Sequence, residues 1–502
     1  MARHSRKRAG LQDRTVLTTT PPRGGRFAPL SDLDRDRIVE AAFAILGRTG
    51  MAQCPTGLIS RATAAGAVLR TDGRLCFPRP LVERSIGRAA RSVALPGFVE
   101  NHGITVGGGY VHIGTGGAAV EVLDAASMTF RAARLRDLYD MMAIVGRSEN
   151  IHYGVRPLVA RDMPSPLAMD INTTFACLKA CPKPIGVSFD SAAHLEPVVS
   201  LLDLALGQEG AFRKQPFCFG VIVHAVSPLR YAQEGVEIML QAIAAGMPLQ
   251  ICTAGQAGAT SPVTLAGALA QGLAETLAGL MIVDLIRPGF PCIFAFMPFI
   301  SDLRTGAMTG GSGETAVANA AAAQLLLHLG LPSTVSAGMT DAKTSDAQAG
   351  YEKGYTVALA AQAGADMINL AVGMLGSIMA ASPEALVIDN DMCGAILRSV
   401  RGVEVGAASI DLEQIERVAT GPGHYLGEAQ TLALMKSEYV YPRLANRQSI
   451  SDWREAGART IWDAARDRVA ELTAEMPTHL PVARETAIRD RFEILLGKAA
   501  GQ

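Results

Sequence analysis

Several stretches of this 502-residue sequence set hydroxyls, carboxylates, amides and glycines directly behind short apolar runs. They read His224-Ala-Val-Ser227-Pro228-Leu229-Arg230-Tyr231 and Thr253-Ala-Gly255-Gln256-Ala-Gly258-Ala-Thr260-Ser261-Pro262. Next come Phe299-Ile-Ser301-Asp302-Leu-Arg304-Thr-Gly306 and Gly310-Gly311-Ser312-Gly313-Glu314, then Ala337-Gly338-Met339-Thr340-Asp341-Ala-Lys343 and Asp346-Ala-Gln348-Ala-Gly350-Tyr351-Glu352. The last is Gly373-Met374-Leu375-Gly376-Ser377. Lys343 is the one good candidate for the reactive lysine of an aldolase or lyase. Asp302, Glu314, Asp341 and Asp346 could hold magnesium, but their spread over two loops favours helix caps and pairing with Arg or Lys. The glycines from Gly306 to Gly313 could cradle phosphate, yet no Lys-Ser/Thr ending follows, so a flexible turn is the plainer reading. Cys177 and Cys181, four apart on a predicted helix, lack the nearby His or Cys that zinc needs, and core packing is expected. His224 sits at a strand end; a satisfied structural histidine is its simpler role.

Such residues need a scaffold that brings strand ends together. From about residue 150 a unit repeats: a short apolar run, a polar turn, then a long Ala/Leu helix. The runs are Ile151–Val159, Pro184–Phe189, Cys218–Val226, Leu249–Ala254, Cys292–Phe299, Ser333–Ala337 and Asp366–Val372. Near-continuous apolarity is what parallel strands buried on both faces require. Glu234–Ala245 and Thr315–Leu329 are long enough to be crossover helices. Seven units predict an α/β chain of the TIM-type (β/α)8 barrel, with N-terminal and C-terminal helical extensions. An open doubly wound sheet is the alternative. The eighth strand is expected before residue 150, where Tyr110–Leu123 is strand-rich. The expected organisation is a disordered basic tail (1–30), an N-terminal extension (31–149) possessing a helix over 31–48, a barrel core (150–404) and a C-terminal helical extension (405–502).

The formal net charge of −1 provides no global field to recruit nucleic acid or a membrane surface. Met1–Arg8 is basic but no apolar segment follows it, so it does not read as a signal peptide. Val263–Ile286 is greasy yet carries Glu275 and Asp284, which predicts a buried amphipathic helix. Eight scattered cysteines suit reduced core thiols. A cytoplasmic protein is expected.

The loop strings resemble those of the trimethylamine methyltransferase (MttB) family over roughly residues 215–435. The matching strings are Val226-Ser-Pro-Leu-Arg-Tyr231, Thr260-Ser-Pro-Val-Thr-Leu-Ala-Gly267, Ala274-Glu-Thr-Leu-Ala-Gly279, Asp302-Leu-Arg-Thr-Gly306, Asp341-Ala-Lys343, Asp346-Ala-Gln-Ala-Gly-Tyr-Glu352 and Gly421-Pro-Gly-His-Tyr-Leu426. One branch of that family carries pyrrolysine after a late strand. Here the corresponding stretch is Gly373-Met-Leu-Gly-Ser-Ile-Met379, so the chain is similar to the non-pyrrolysine branch, whose members demethylate glycine betaine and related compounds.

The resemblance implies transfer of an N-methyl group from a quaternary amine to cobalt(I) of a corrinoid (cobalamin). A separate cognate corrinoid-binding protein would carry that corrinoid, with no cofactor bound tightly to this chain. A permanent cation without an N–H is recognised by aromatic faces and carboxylates. The implied receivers are Tyr153, Phe189, Tyr231, Phe296 and Phe299, with Asp302 or Asp341 as counter-charge and Gly376 in the pyrrolysine neighbourhood. A substrate carboxylate would meet Arg304, Lys343 or the amides around Gly311 and Gly313. His224 completes the strand-end set, and His424 would face the mouth or the corrinoid partner. A homo-oligomer is also expected. The competing functions are a silent quaternary-amine binding or sensing subunit and a barrel lyase or aldolase.

Overall fold

The computed structural model describes residues 23–497 apart from 26, 407–408, 475–476 and 478, so the basic Met1–Arg8 segment lies outside the described residues. Eight parallel strands form the central sheet: β1 (His112–Ile113), β2 (Gly154–Val155), β3 (Ile185–Val187), β4 (Cys218–Val223), β5 (Leu249–Thr253), β6 (Cys292–Phe296), β7 (Ser333–Ser336) and β8 (Met367–Asn369). Each pairs with its neighbour in chain order, and β8 pairs back onto β1 through Met367 and His112. A parallel bridge between Gly114 and Tyr153 joins β1 to β2 and closes the barrel. The closure depends on glycine, because a Cβ at Gly114 would lie 2.3 Å from the Tyr153 ring. Each of the seven apolar runs contains one strand of the barrel, and β1 comes from the strand-rich segment before residue 150.

Helix α1 (Asp32–Arg48) precedes the barrel, capped by the Ser31 hydroxyl, which accepts from the Asp34 amide. Crossovers follow each strand in turn: α2 (Leu135–Arg147), α3 (Pro166–Ala180), α4 (Leu195–Leu206), α5 (Gln233–Ala245), α6 (Leu265–Ile286), α7 (Gly313–His328), α8 (Ala347–Ala363) and α9 (Pro383–Arg401). By length and composition α6 could cross a membrane. It is not the expected amphipathic helix: every residue from Ala268 to Asp284 is buried. The reason is that α1 and the helix Arg79–Arg88 pack over its outer side, leaving no wet face.

The lumen is filled from below. A hairpin, Val93–Leu95 with Ile104–Val106, inserts Val93, Leu95 and Val106 beneath Tyr153, Val155, Phe219, Ile293 and Met367. Above these lies a buried polar chain. Tyr153 donates its hydroxyl to Asn369 Oδ1 (2.7 Å), Asn369 Nδ2 donates to Gln250 Oε1 (3.0 Å), and Gln250 Nε2 donates to Thr334 Oγ1 (2.8 Å). Every partner is satisfied by another lumen residue, which makes burial of these groups tolerable.

After α9 the chain forms α10 (Leu412–Thr420) and α11 (Ala429–Glu438), then α12 (Ile461–Ala474) and α13 (Val482–Arg491). α12 packs against α9 and α2, and α13 against α4.

Candidate active site at the barrel mouth

The strings quoted above close into two hydrogen-bonded knots that shape the rim. The first centres on Glu275 of α6, which is 0% exposed. Its carboxylate accepts from the Ser227 hydroxyl (2.6 Å), the Leu229 amide (2.9 Å) and Gln271 Nε2 (3.1 Å). Gln271 also donates to the Thr260 carbonyl. Three strings, 226–231, 260–267 and 274–279, thus meet at one buried carboxylate that fixes the loops after β4 and β5. Burial raises the Glu275 pKa, and the Leu229, Ser227 and Gln271 hydrogen bonds offset part of that rise.

The second knot centres on Asp341. Oδ2 accepts from Thr309 Oγ1 (2.5 Å) and the Gly311 amide (3.5 Å); Oδ1 accepts from the Gly310 amide (2.9 Å) and Ser377 Oγ (2.5 Å). Burial pushes its pKa up, but the Gly310 amide, the two hydroxyls and the Gly311 amide prevail and hold it below the ordinary carboxylate range. Beside it, Glu352 accepts from Thr340 Oγ1 (2.5 Å), the Asp341 amide (2.8 Å) and Gln348 Nε2 (2.9 Å). Gly311 must be glycine here, since a Cβ would lie 2.2 Å from Glu352 Oε2. Two carboxylates therefore stand side by side on the rim between β6, β7 and β8.

The sequence-derived candidates separate into two groups. Phe189 and Phe299 stay partly exposed at the ends of β3 and β6, and Asp341, Gly376 and the Gly311–Gly313 turn share the rim with them. Four others are sequestered. Tyr153 is 0% exposed inside the lumen, held by Asn369. His224 points away from the lumen, with Nε2 2.9 Å from the Glu275 carbonyl, and burial pulls its pKa down to about 4. Tyr231 donates to the Ala278 carbonyl (3.1 Å), and Phe296 packs over Gly272 of α6. Phe294 and Phe296 accordingly belong to the strand–helix layer, because it is Ile293 that faces the lumen on β6.

The basic candidates are already engaged. Arg304, 88% exposed at a turn tip, pairs with Asp302 (2.7 Å), and its hydrogen bonds lower the Asp302 pKa to about 2. Lys343 donates Nζ to the Asp341 carbonyl (2.6 Å). His424 is exposed in the turn joining α10 to α11. Cys177 and Cys181 are buried thiols, their pKa values pushed up by burial to about 12 and about 11. Among the described residues no three His, Cys, Asp or Glu side chains gather as a metal cage. Sequence reasoning missed Glu275, Ser377, Thr309 and Glu352 as organisers, although each lies in or next to a quoted string.

A closed parallel barrel whose polar loops are knotted together at the strand C-termini has the layout of a barrel enzyme. The chain belongs to the trimethylamine methyltransferase (MTTB) family, whose model matches residues 2–493. It is 31% identical to trimethylamine methyltransferase MttB of Methanosarcina thermophila over 376 residues, covering 73% of this chain and 75% of that protein. It is also 28% identical to the glycine betaine methyltransferase of Desulfitobacterium hafniense (strain Y51) over 435 residues, covering 86% of this chain and 89% of the relative. Among solved structures, the monomethylamine methyltransferase of Methanosarcina barkeri matches with a TM-score of 0.47 at 12% identity, over 89% of this chain and 95% of that one.

Proposed function

We propose that this methyltransferase moves an N-methyl group from a small quaternary amine, of betaine type, to cobalt(I) of a corrinoid held by a separate partner protein. The observation that carries the reading is the Asp341 carboxylate. It is ionised, yet its four acceptor positions are taken by Thr309, Gly310, Gly311 and Ser377. Such a group offers negative charge without a free lone pair. A quaternary nitrogen has charge and no N–H, whereas a protonated tertiary amine would leave its own N–H unpaired there.

The rest of the rim agrees. The partly exposed Phe189 and Phe299 rings offer aromatic surface to an N-methyl cation. Gly376 and Ser377 occupy the stretch where the other branch of the family places pyrrolysine. A quaternary donor needs no such activation: as the C–N bond breaks, its electron pair stays on nitrogen and a neutral amine leaves. The chain's own task is to hold the methyl carbon in line, which in favourable cases contributes roughly 7–11 kcal/mol. The corrinoid would supply the nucleophile. Its carrier must approach the mouth, and Val226, Val263, Leu303 and Met379 on the loops after β4, β5, β6 and β8 are exposed together with Tyr351 near the start of α8, an apolar rim for a protein to meet.

The test is to mix the enzyme, a cobalt(I) corrinoid and each member of an amine panel, and to follow the absorbance of methylcobalt(III). Quaternary amines are expected to react and tertiary amines to lag far behind. Turnover of trimethylamine with no activity on any quaternary amine would falsify the reading.

A further inference from the structure

We infer that the arm formed by α10 and α11 is an interface between two copies of this chain. The arm leaves α9 at Gly402 and returns where Arg401 meets Glu438 (2.8 Å) and Arg398 donates to the Glu438 carbonyl (2.9 Å). That root is at the floor end of the barrel, because Ser399 also bonds Gln362 at the close of α8, just before β8 begins. Between the root contacts, and among the described residues, the arm packs extensively against no other element. In α10 only Gln414 and Val418 are buried, and in α11 no residue is.

The arm is nevertheless not built as a solvated surface. Twelve of the 29 large apolar side chains exposed among the described residues fall within residues 403–441, including Val403 (81%), Leu412 (71%), Leu426 (80%), Leu432 (62%) and Tyr439 (65%). Their exposed surface is on the order of 1,000 Å², against the roughly 800 Å² per partner of a standard stable interface. Helices of nine and ten residues are also below the ~12–15 residues at which an isolated helix becomes even marginal in water. The arm therefore requires a permanent cover rather than a visiting one.

Permanence and position select the occupant. A protein that delivers the methyl acceptor comes and goes, and it must face the mouth, while the arm is rooted at the other end. A second copy supplies the same apolar stretch, always at matching concentration, and two arms meeting about a twofold axis cover each other. Arg417 and Glu428, paired at 2.5 Å, brace α10 against the start of α11 and hold the apolar side chains on one body.

The experiment reads mass and not turnover, so its outcome is independent of the methyl-transfer reading. Sedimentation equilibrium of the full chain at micromolar concentration should give a dimer or a multiple of one. The double variant Leu412→Glu with Leu432→Glu should raise the dimer Kd at least about 100-fold and give 52.7 kDa monomers with the barrel's thermal transition retained. In the unmodified chain, amide hydrogen exchange over 412–438 should be protected and should lose that protection on dilution. A wild-type monomer at tens of micromolar, an assembly that survives both substitutions, or an unprotected arm would each overturn the inference.

Discussion

The Asp341 carboxylate accepts a hydrogen bond from the Ser377 hydroxyl at 2.5 Å, and this contact ties the loop after β7 to the loop after β8. Charge and scaffolding can be separated there. Ser377→Ala removes one charge-assisted hydrogen bond, costing about 1.5–3 kcal/mol of stability, and leaves the charge in place. Asp341→Asn removes the charge, which at ~5 Å from a cation is worth roughly 3 kcal/mol at an effective dielectric of 20. KM for a quaternary amine should rise at least about tenfold in Asp341→Asn and hardly move in Ser377→Ala. Parallel KM and Tm changes in both variants would reduce Asp341 to a scaffold.

Two phenylalanines three residues apart should behave as opposites. Phe299→Ala removes a partly exposed ring at the mouth and should weaken substrate binding by about 0.5–2 kcal/mol with little loss of stability. Phe296→Ala empties a site against Gly272 and should cost about 3–5 kcal/mol of stability. Calorimetric binding and denaturant melts on both proteins check the assignment, and a binding defect confined to Phe296→Ala would reverse it.

Removing the Glu275 side chain should loosen two loops at once. Glu275→Ala strips Ser227, the Leu229 amide and Gln271 of a shared acceptor. A loss of about 2–4 kcal/mol is expected. Limited proteolysis should then cut within 226–231 and 258–264 before the rest of the barrel; uniform cleavage would contradict the knot.

Acid should destabilise the fold through histidines held neutral. Burial pulls His112 and His224 down to about 4, below the roughly 6.5 of an exposed imidazole. Their contribution is therefore complete above pH 6.5 and is lost as the pH falls from there towards about 4. Each unit is worth about 1.4 kcal/mol per histidine. Asp366, pushed up to about 6 by burial, acts in the opposite sense, its share being lost as pH rises through that value. Replacing His224 with Gln should flatten the acid limb of stability between about pH 6.5 and 4, and an unchanged slope would refute the assignment.

The strands were legible because a buried parallel strand writes itself as a short apolar run, and all seven runs after residue 150 hold one. β1 was harder, since two residues beside Gly114 carry little pattern. The site was legible only as neighbourhoods. His224, Tyr231 and Phe296 sit at strand ends, where a sequence cannot tell which side of the sheet a residue faces. One residue of parity sends Phe296 to α6 and Ile293 into the lumen. Asp341 was named for its charge, but its four donors come from residues 309, 310, 311 and 377, brought together only by the closed barrel. The full burial of α6 depended likewise on α1, more than 200 residues earlier in the chain.

The hairpin beneath the lumen has a kinetic consequence. With Val93, Leu95 and Val106 packed under the lumen, the described residues leave the mouth as the doorway, and under the methyl-transfer reading donor amine, acceptor protein and demethylated product all share it. Turnover then runs as a queue. The amine enters before the acceptor protein docks, and the product departs only after that protein has left. An excess of acceptor should slow the reaction by parking on empty or product-filled barrels, and raising the amine concentration should relieve only the empty ones.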